Sequence, residues 1–245
     1  MAKKKTRSVV SRRAEHQHPN KTGAVAGVYP ISTGEAELVP DGYHADGWLL
    51  LINGVQSSHV IVGQPHMLDF EYMRWIAAVL DSHIQTHLNP EKLRITHLGG
   101  GACSLARYCA DVYPNSRNTV VELDAKLAEY VRDWFDIPKS PRVKIRVGDA
   151  GTVTRSFAPA SRDVVIRDVF AVDKTPAELT GVDFVRTVDH SLAPGGLYTL
   201  NCGDDRTLNA ARAEAAAREA EEEERRIAEQ ERIEDEQRAA RNAAE

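Results

Sequence analysis

The sequence predicts an α/β protein built on a parallel sheet, and three observations carry that prediction. Between residues 94 and 201, short runs rich in β-branched residues alternate with stretches of helical periodicity. That alternation is the pattern of a parallel sheet with helices on both faces. Ahead of it, residues 24–62 hold only strand-like runs between turn signals. Behind it, residues 206–245 are almost entirely Ala, Glu, Arg and Gln, the composition of a charged helix. The expected layout is a disordered basic tail over 1–22, a small N-terminal β domain over 23–66, a Rossmann-like domain over 67–205 and a charged single helix over 206–245.

Residues 1–22 lack apolar periodicity and read as a tail. Val25 to Ile31, Ala36 to Val39, Gly47 to Ile52 and Val55 to Val62 carry β-branched or aromatic residues. Asn53-Gly54 between two of these runs is a two-residue hairpin signal. Such a meander buries little area alone and is expected to pack on the domain that comes after it in the chain. From Leu68 to about His87, the residues Leu68, Tyr72, Trp75, Ile76, Val79 and Leu80 recur at helical spacing. Strands are then expected at Arg94 to Leu98, Thr119 to Leu123, Val143 to Val147, Asp163 to Ile166 and Leu197 to Asn201. Helices are expected at Ser104 to Val112, Ala125 to Phe135 and near Asp183 to Ser191. Ser191 to Gly196 reads as the turn into the last strand, with Pro194 and Gly195 ending the helix. In the final segment Glu214–Arg218, Glu221–Arg225, Glu222–Arg226 and Glu234–Arg238 are acid-to-base pairs four apart. Ile227 and Ile233 are too few for a coiled-coil seam. A solvated single helix is expected, with a partner-binding helix as the alternative.

Composition excludes several classes. Of 245 residues, 42% are hydrophobic, enough for a core. The longest apolar runs, such as Leu49 to Ile52, are far too short to span a bilayer. No apolar stretch of signal-peptide length comes after the basic N-terminus. The net charge is −5, with Lys3, Lys4, Lys5, Arg7, Arg12, Arg13 and Lys21 gathered in the tail against Glu15 alone. The middle is nearly balanced, which argues against nucleic acid as a partner. Cys103, Cys109 and Cys202 have no metal-ligand spacing and suit a reducing cytosol, so the expectation is a cytoplasmic protein without metal.

The chemistry gathers at the carboxyl ends of the predicted parallel strands, where such sheets bind ligands. His97-Leu98-Gly99-Gly100-Gly101-Ala102-Cys103-Ser104 closes a strand and opens a helix. Glycines there let the backbone approach a ligand near a helix N-terminus. Glu122 ends the next strand, 21 residues after Gly101, the distance at which an acid reaches ribose hydroxyls in a fold of this type. Gly148-Asp149-Ala150 follows the third strand, where an acid can accept from an adenine amino group, and Asp168 follows the fourth. Each acid has a plainer alternative: Glu122 as a helix cap, Asp149 as a turn residue, Asp168 as a loop cap. Together they predict a nucleoside cofactor site of the S-adenosylmethionine type on a class I S-adenosylmethionine-dependent methyltransferase-like parallel sheet.

The residues Leu51 to Ser58, Phe70-Glu71-Tyr72-Met73, Gly99-Gly100-Gly101, Val121 to Asp124, Gly148-Asp149-Ala150, Asp168 and Leu192 to Leu197 together resemble the spermidine synthase (polyamine aminopropyltransferase) family. The resemblance covers about residues 25–201. It implies transfer of an aminopropyl group from decarboxylated S-adenosylmethionine to putrescine or a similar small-molecule amine, and a homodimer. It places Glu122 on the ribose, Asp149 on the adenine, Asp168 as the acid that takes the amine proton, and Gln56 and Tyr72 in the cleft between domains. A carboxylate base suits this chemistry because the attacking ammonium must first lose a proton.

Three departures bear on that expectation. The family loop Gly-Gly-Gly-Asp-Gly here has Ala102 and Cys103 in its last two places. Its Asp-Ser-Ser-Asp-Pro loop here runs from Asp168 to Pro176, so the second acid is displaced to Asp173. Met73 stands where a His is usual. Losing anionic contacts weakens selection for a diamine. An S-adenosylmethionine-dependent methyltransferase on the same fold, or a non-catalytic nucleoside-binding or scaffold relative, therefore remain the alternatives.

Overall fold

The computed structural model describes residues 23–170, 174–202 and 209–243. Strands β1 (Gly27–Ile31), β2 (Gly34–Pro40), β3 (Gly47–Ile52) and β4 (Val55–Ile61) form an antiparallel meander in sequence order. Asn53 and Gly54 close the β3–β4 hairpin with φ of 52° and 79°, the left-handed pair that such a turn needs. Asp41 holds the β2–β3 turn. Its Oδ1 accepts from the amides of Tyr43 and His44, and its Oδ2 from the rings of His44 and His59, all at 2.8 Å. Burial alone would raise the Asp41 carboxyl, but these bonds outweigh it and hold it well below the usual range. Asp41, His44 and His59 are also the one cluster among the described residues that could hold a metal; these hydrogen bonds account for its geometry.

The second sheet is parallel throughout, in the order β7 (Val143–Val147), β6 (Arg117–Glu122), β5 (Arg94–Leu98), β8 (Arg162–Arg167), β9 (Leu192–Leu200). The winding reverses at β5, which puts a crevice beyond the carboxyl ends of β5 and β8. On one face, Met73, Ile76, Leu80 and Ile84 of α1 (Glu71–His87) and Leu105 and Cys109 of α2 (Ser104–Val112) cover Ile95, Val164 and Ile166. On the other, Val153 of α4 (Ala150–Arg155) and Phe184 and Val188 of α5 (Val182–Ser191) cover Leu98, Val121 and Val165. A third cluster joins the sheets: Leu38, Leu50 and Val60 of the meander meet Val120, Val143 and Leu127, Val131 and Trp134 of α3 (Ala125–Trp134). The meander thus gains the burial it lacks alone.

Four expectations need correction. The buried stripe of α1 is Met73, Ile76, Ala77, Leu80 and Ile84, while Trp75 and Val79 are 62% and 50% exposed. Helix α4 has no counterpart in the sequence pattern; its six residues include a Gly and two β-branched threonines, a poor helical signal rescued by a cap. Leu192 to Gly196 is no turn but the start of β9, entering the sheet with a register shift beside Arg162 and Val164. The charged helix α6 (Asn209–Ala243) is not solvated along its whole length. It docks on α5 through Arg186 to Glu221 (3.0 Å) and Glu224, and through Arg225 to Asp189. Of its expected internal pairs, Glu221–Arg225 lies at 3.9 Å, while Arg226 meets Glu223 instead of Glu222. No helix among the described residues is long and apolar enough to cross a membrane. The expected tail over 1–22 lies outside the described residues.

Candidate active site

A cavity of about 330 Å³ opens at the crevice beyond β5 and β8. Its walls come from the β3–β4 hairpin, α1, the glycine loop and the ends of β8 and β9. Of the expected residues, Gln56, Tyr72, Gly99, Gly100, Gly101 and Asp168 line it. Glu122 borders it through the loop. Asp149 and Ala150 do not line it. Asp173 lies outside the described residues.

The loop geometry explains its glycines. Gly99 has φ +90°, and a Cβ there would sit 2.0 Å from the Asp168 carbonyl oxygen. The loop backbone therefore packs directly on the segment that presents Asp168. Gly101 has φ +46°, and a Cβ there would meet Ser58 Oγ at 2.5 Å. Cys103, the residue before α2, also takes a left-handed φ of 60°, a strained choice for a non-glycine residue.

Every amide of the loop is satisfied from within the protein. Gly99 N donates to Val121 O, Gly100 N and Gly101 N to Glu122 Oε2 (3.0 and 3.2 Å), and Cys103 N to Gly100 O. Ala102 N donates to Ser58 Oγ at 3.0 Å, and Ser104 Oγ to the His59 carbonyl at 2.9 Å. Strand β4 thereby clamps the loop. Sequence reasoning missed Ser58 in this role, and a lone Ser inside a strand carries no signal for it. Glu122 also accepts from Asp124 N through Oε1 at 2.9 Å, so it braces the loop and caps no helix. Burial pushes its carboxyl up, against the lowering effect of those three amides.

Asp168 is the best-defined acid of the cavity. Tyr72 OH donates to Oδ2 at 2.9 Å, and Asn201 Nδ2 to Oδ1 at 3.0 Å. Burial pushes the Asp168 carboxyl up; the bonds from Asn201 and Tyr72 and the charge of Arg167 oppose it. Burial also raises the Tyr72 phenol, helped by the Asp168 charge, so Tyr72 stays protonated and donating. In the sequence Asn201 marks only the end of a strand; its position opposite Asp168 comes from the β8–β9 register, Arg167 beside Leu200.

Asp149 is the residue between β7 and α4 that opens the helix. It caps α4, accepting from Thr152 N at 2.7 Å, and these Thr152 bonds lower its carboxyl. Near it, Leu123 and Val147 at the ends of β6 and β7 are 62% and 51% exposed. Exposed apolar side chains at the carboxyl edge of a sheet suit the faces of a flat aromatic ring. Ala102, in the place of the expected acid, is fully buried in the cluster between the sheets. Cys103 lines the cavity, its thiol pushed up to about 12 by burial, so it is no nucleophile at neutral pH.

No protein-family model matches the chain. The eEF1A lysine and N-terminal methyltransferase of Mus musculus is 32% identical over 128 residues, 48% of this chain and 18% of that protein. The polyamine aminopropyltransferase of Vibrio vulnificus is 26% identical over 114 residues, 46% of this chain and 38% of that protein. This chain thus spans well under half of either curated relative. A probable spermidine synthase from Corynebacterium glutamicum has a crystal structure that superposes with a TM-score of 0.77 at 59% identity, covering 79% of this chain and 70% of that one. Likeness at that level, over most of both chains and on the same pair of sheets, means that the chain belongs to the spermidine synthase family.

Proposed function

We propose that the protein is an aminopropyltransferase, taking the aminopropyl group of decarboxylated S-adenosylmethionine to a small amine such as putrescine. The observation that carries this reading is the carboxylate of Asp168. It is enclosed at the cavity beside the glycine loop and held by Tyr72 and Asn201, one bond on each oxygen. Each oxygen keeps a second lone pair, so an ammonium can dock without displacing either neighbour. In the transfer, the amine nitrogen forms a C–N bond to the aminopropyl carbon as the C–S bond breaks. The sulfur keeps the bonding pair and leaves as neutral methylthioadenosine, and Asp168 takes the amine proton. Leaving-group activation resides in the sulfonium, so the chain's work is placing two substrates and accepting one proton.

The residues fit such a donor. Glu122 already sets Oε2 against the loop while Oε1 accepts from Asp124 N, and turning Oε1 outward would present it to the ribose hydroxyls. Leu123 and Val147 offer exposed apolar surface for the adenine, with Asp149 as the nearby acceptor. Gln56 and Tyr72 line the cavity and would face the acceptor, and Asp173 is the second acid the family resemblance offers. Methyl transfer from intact S-adenosylmethionine is the second reading. Ala102 favours it, because the loop has no acid at that place to repel the donor's carboxylate.

Calorimetry on the purified protein with decarboxylated S-adenosylmethionine, S-adenosylmethionine and methylthioadenosine separates the readings. Tighter binding of the decarboxylated form, with turnover on putrescine, is the expected result. Preference for the intact form would replace it with the methyltransferase reading, and binding of none would remove both. Asp168→Asn is expected to keep nucleoside affinity and to lose about 10²–10⁴-fold in turnover.

A further inference from the structure

Each glycine of the loop is faced by a different polar segment. A Cβ built on Gly99 would meet the Asp168 carbonyl oxygen at 2.0 Å, one on Gly100 would meet Glu122 Oε2 at 2.8 Å, and one on Gly101 would meet Ser58 Oγ at 2.5 Å and Ser57 Oγ at 3.2 Å. Ser58 Oγ is committed, since it accepts from Ala102 N. Ser57 Oγ has no hydrogen-bond partner among the described residues. In the proposed transfer Asp168 serves the attacking amine and Glu122 the ribose, which leaves Ser57 without a role.

Consecutive side chains of a regular strand point to opposite faces, so Ser57 and Ser58 could not both reach one glycine from an unbroken ladder. A bulge in β4 brings them there. Leu50 pairs with Ser58, and the next residue, Leu51, pairs with Gln56, so Ser57 is the extra residue of the strand. Bulges re-aim side chains and are frequent beside active sites. This one sets Gln56, Ser57 and Ser58, three residues in a row, on the wall of the same cavity. Ser58 is buried under the loop, while Ser57 is half-buried and open to a ligand in the cavity.

We infer that Ser57 Oγ accepts a hydrogen bond from the amino group that ends the donor's alkyl chain, making Ser57 a specificity-determining residue for an amine-bearing nucleoside. This inference rests on the nucleoside reading above. A donor that gives its ribose to Glu122 lies along the glycine loop, and its sulfonium-bound carbon faces the amine at Asp168. The faces of Gly100 and Gly99 are thereby occupied, and the face of Gly101, with Ser57 over it, is left for the end of the chain. A serine hydroxyl offers two lone pairs to an ammonium, and a charged donor makes the stronger hydrogen bond. Methylthioadenosine carries the ribose but no chain-end amino group, so it gains nothing from Ser57.

The test is a comparison of ligands by calorimetry on the full chain. Ser57→Ala removes a hydroxyl on which no described protein group depends, so the variant is expected to unfold at the wild-type temperature. It should bind decarboxylated S-adenosylmethionine about tenfold more weakly and change by less than about twofold for methylthioadenosine. Ser57→Thr, which keeps the hydroxyl on a residue suited to a strand, should recover most of the loss. Equal losses for both ligands, or no loss for either, would overturn the inference and leave the nucleoside reading standing. A loss confined to putrescine, added to the protein loaded with methylthioadenosine, would also overturn it, because Ser57 would then serve the acceptor. Failure of wild type to bind methylthioadenosine would overturn the nucleoside reading and the inference with it.

Discussion

At the scale of single residues, the site is a matter of backbone contact before it is a matter of side chains. Gly99 fits only because it has no Cβ, with Asp168 O 2.0 Å from where one would be. Gly99→Ala must therefore push apart the loop and the segment that presents Asp168. A loss of about 1–3 kcal/mol in stability is expected from the strained φ, together with loss of nucleoside binding; urea unfolding and calorimetry read the two separately. Ser58→Ala is a subtler break. Ser58 is 2% exposed and holds the Ala102 amide, so its removal leaves a buried donor unpaired, at a cost of about 1–3 kcal/mol. The glycines, Glu122 and Asp168 are legible in the sequence because each comes after a strand at a spacing that a parallel sheet turns into proximity. Ser58 and Asn201 are not legible in their roles. Their importance comes from neighbours 44 and 33 residues away, and no local pattern encodes a partner at that range.

At the scale of elements, periodicity predicts most of the helices and strands, and tertiary contact decides the rest. Trp75 and Val79 sit on the helical face the spacing suggests, yet the face that is buried is that of Met73, Ile76, Ala77, Leu80 and Ile84. Helix α4 exists through Asp149 at its cap and Val153 in the core, neither visible as periodicity in six residues. The clearest case is α6. Its sequence describes a helix that stabilises itself, while Arg186 and Asp189 of α5 give it a docking partner. Apart from Glu221, which is half-buried, the groups of these ion pairs are exposed, and exposed pairs contribute little and weaken with salt. Arg186→Glu sets a like charge against Glu221 and Glu224. Hydrogen exchange in residues 215–229 should then speed up, with α1 to α5 unchanged, and wild type in high salt should move partway toward that behaviour. Unchanged protection in α6 would mean that apolar contact around the buried Ala217, not charge, holds the helix.

At the scale of the whole molecule, two sets of carboxyls pull stability in opposite directions with pH. Asp124 joins the sheets, accepting from Thr33 N at 2.6 Å and Thr33 Oγ1 at 3.0 Å while capping α3 through Leu127 N. Burial would raise it, yet these bonds lower it, as the corresponding bonds lower Asp41; Asp149 is lowered chiefly by Thr152. A folded-state value below the ordinary one gives stability that is present above about pH 3.9 and is lost as pH falls through the depressed value. Glu122 and Asp168 are raised by burial. Their stability contribution is present below the ordinary carboxylate values and is lost as pH rises through the raised ones. Thermal unfolding should therefore peak in mildly acid buffer, at roughly pH 5, and decline on both sides. Asp168→Asn should flatten the neutral limb, and Asp41→Asn should flatten part of the acid limb. On the proposed chemistry turnover requires ionised Asp168, so its rate should climb over the same interval in which stability declines. On that reading the base of the cavity is a group that the fold is less stable for keeping charged. A neutral limb equally steep in wild type and Asp168→Asn would sever that connection.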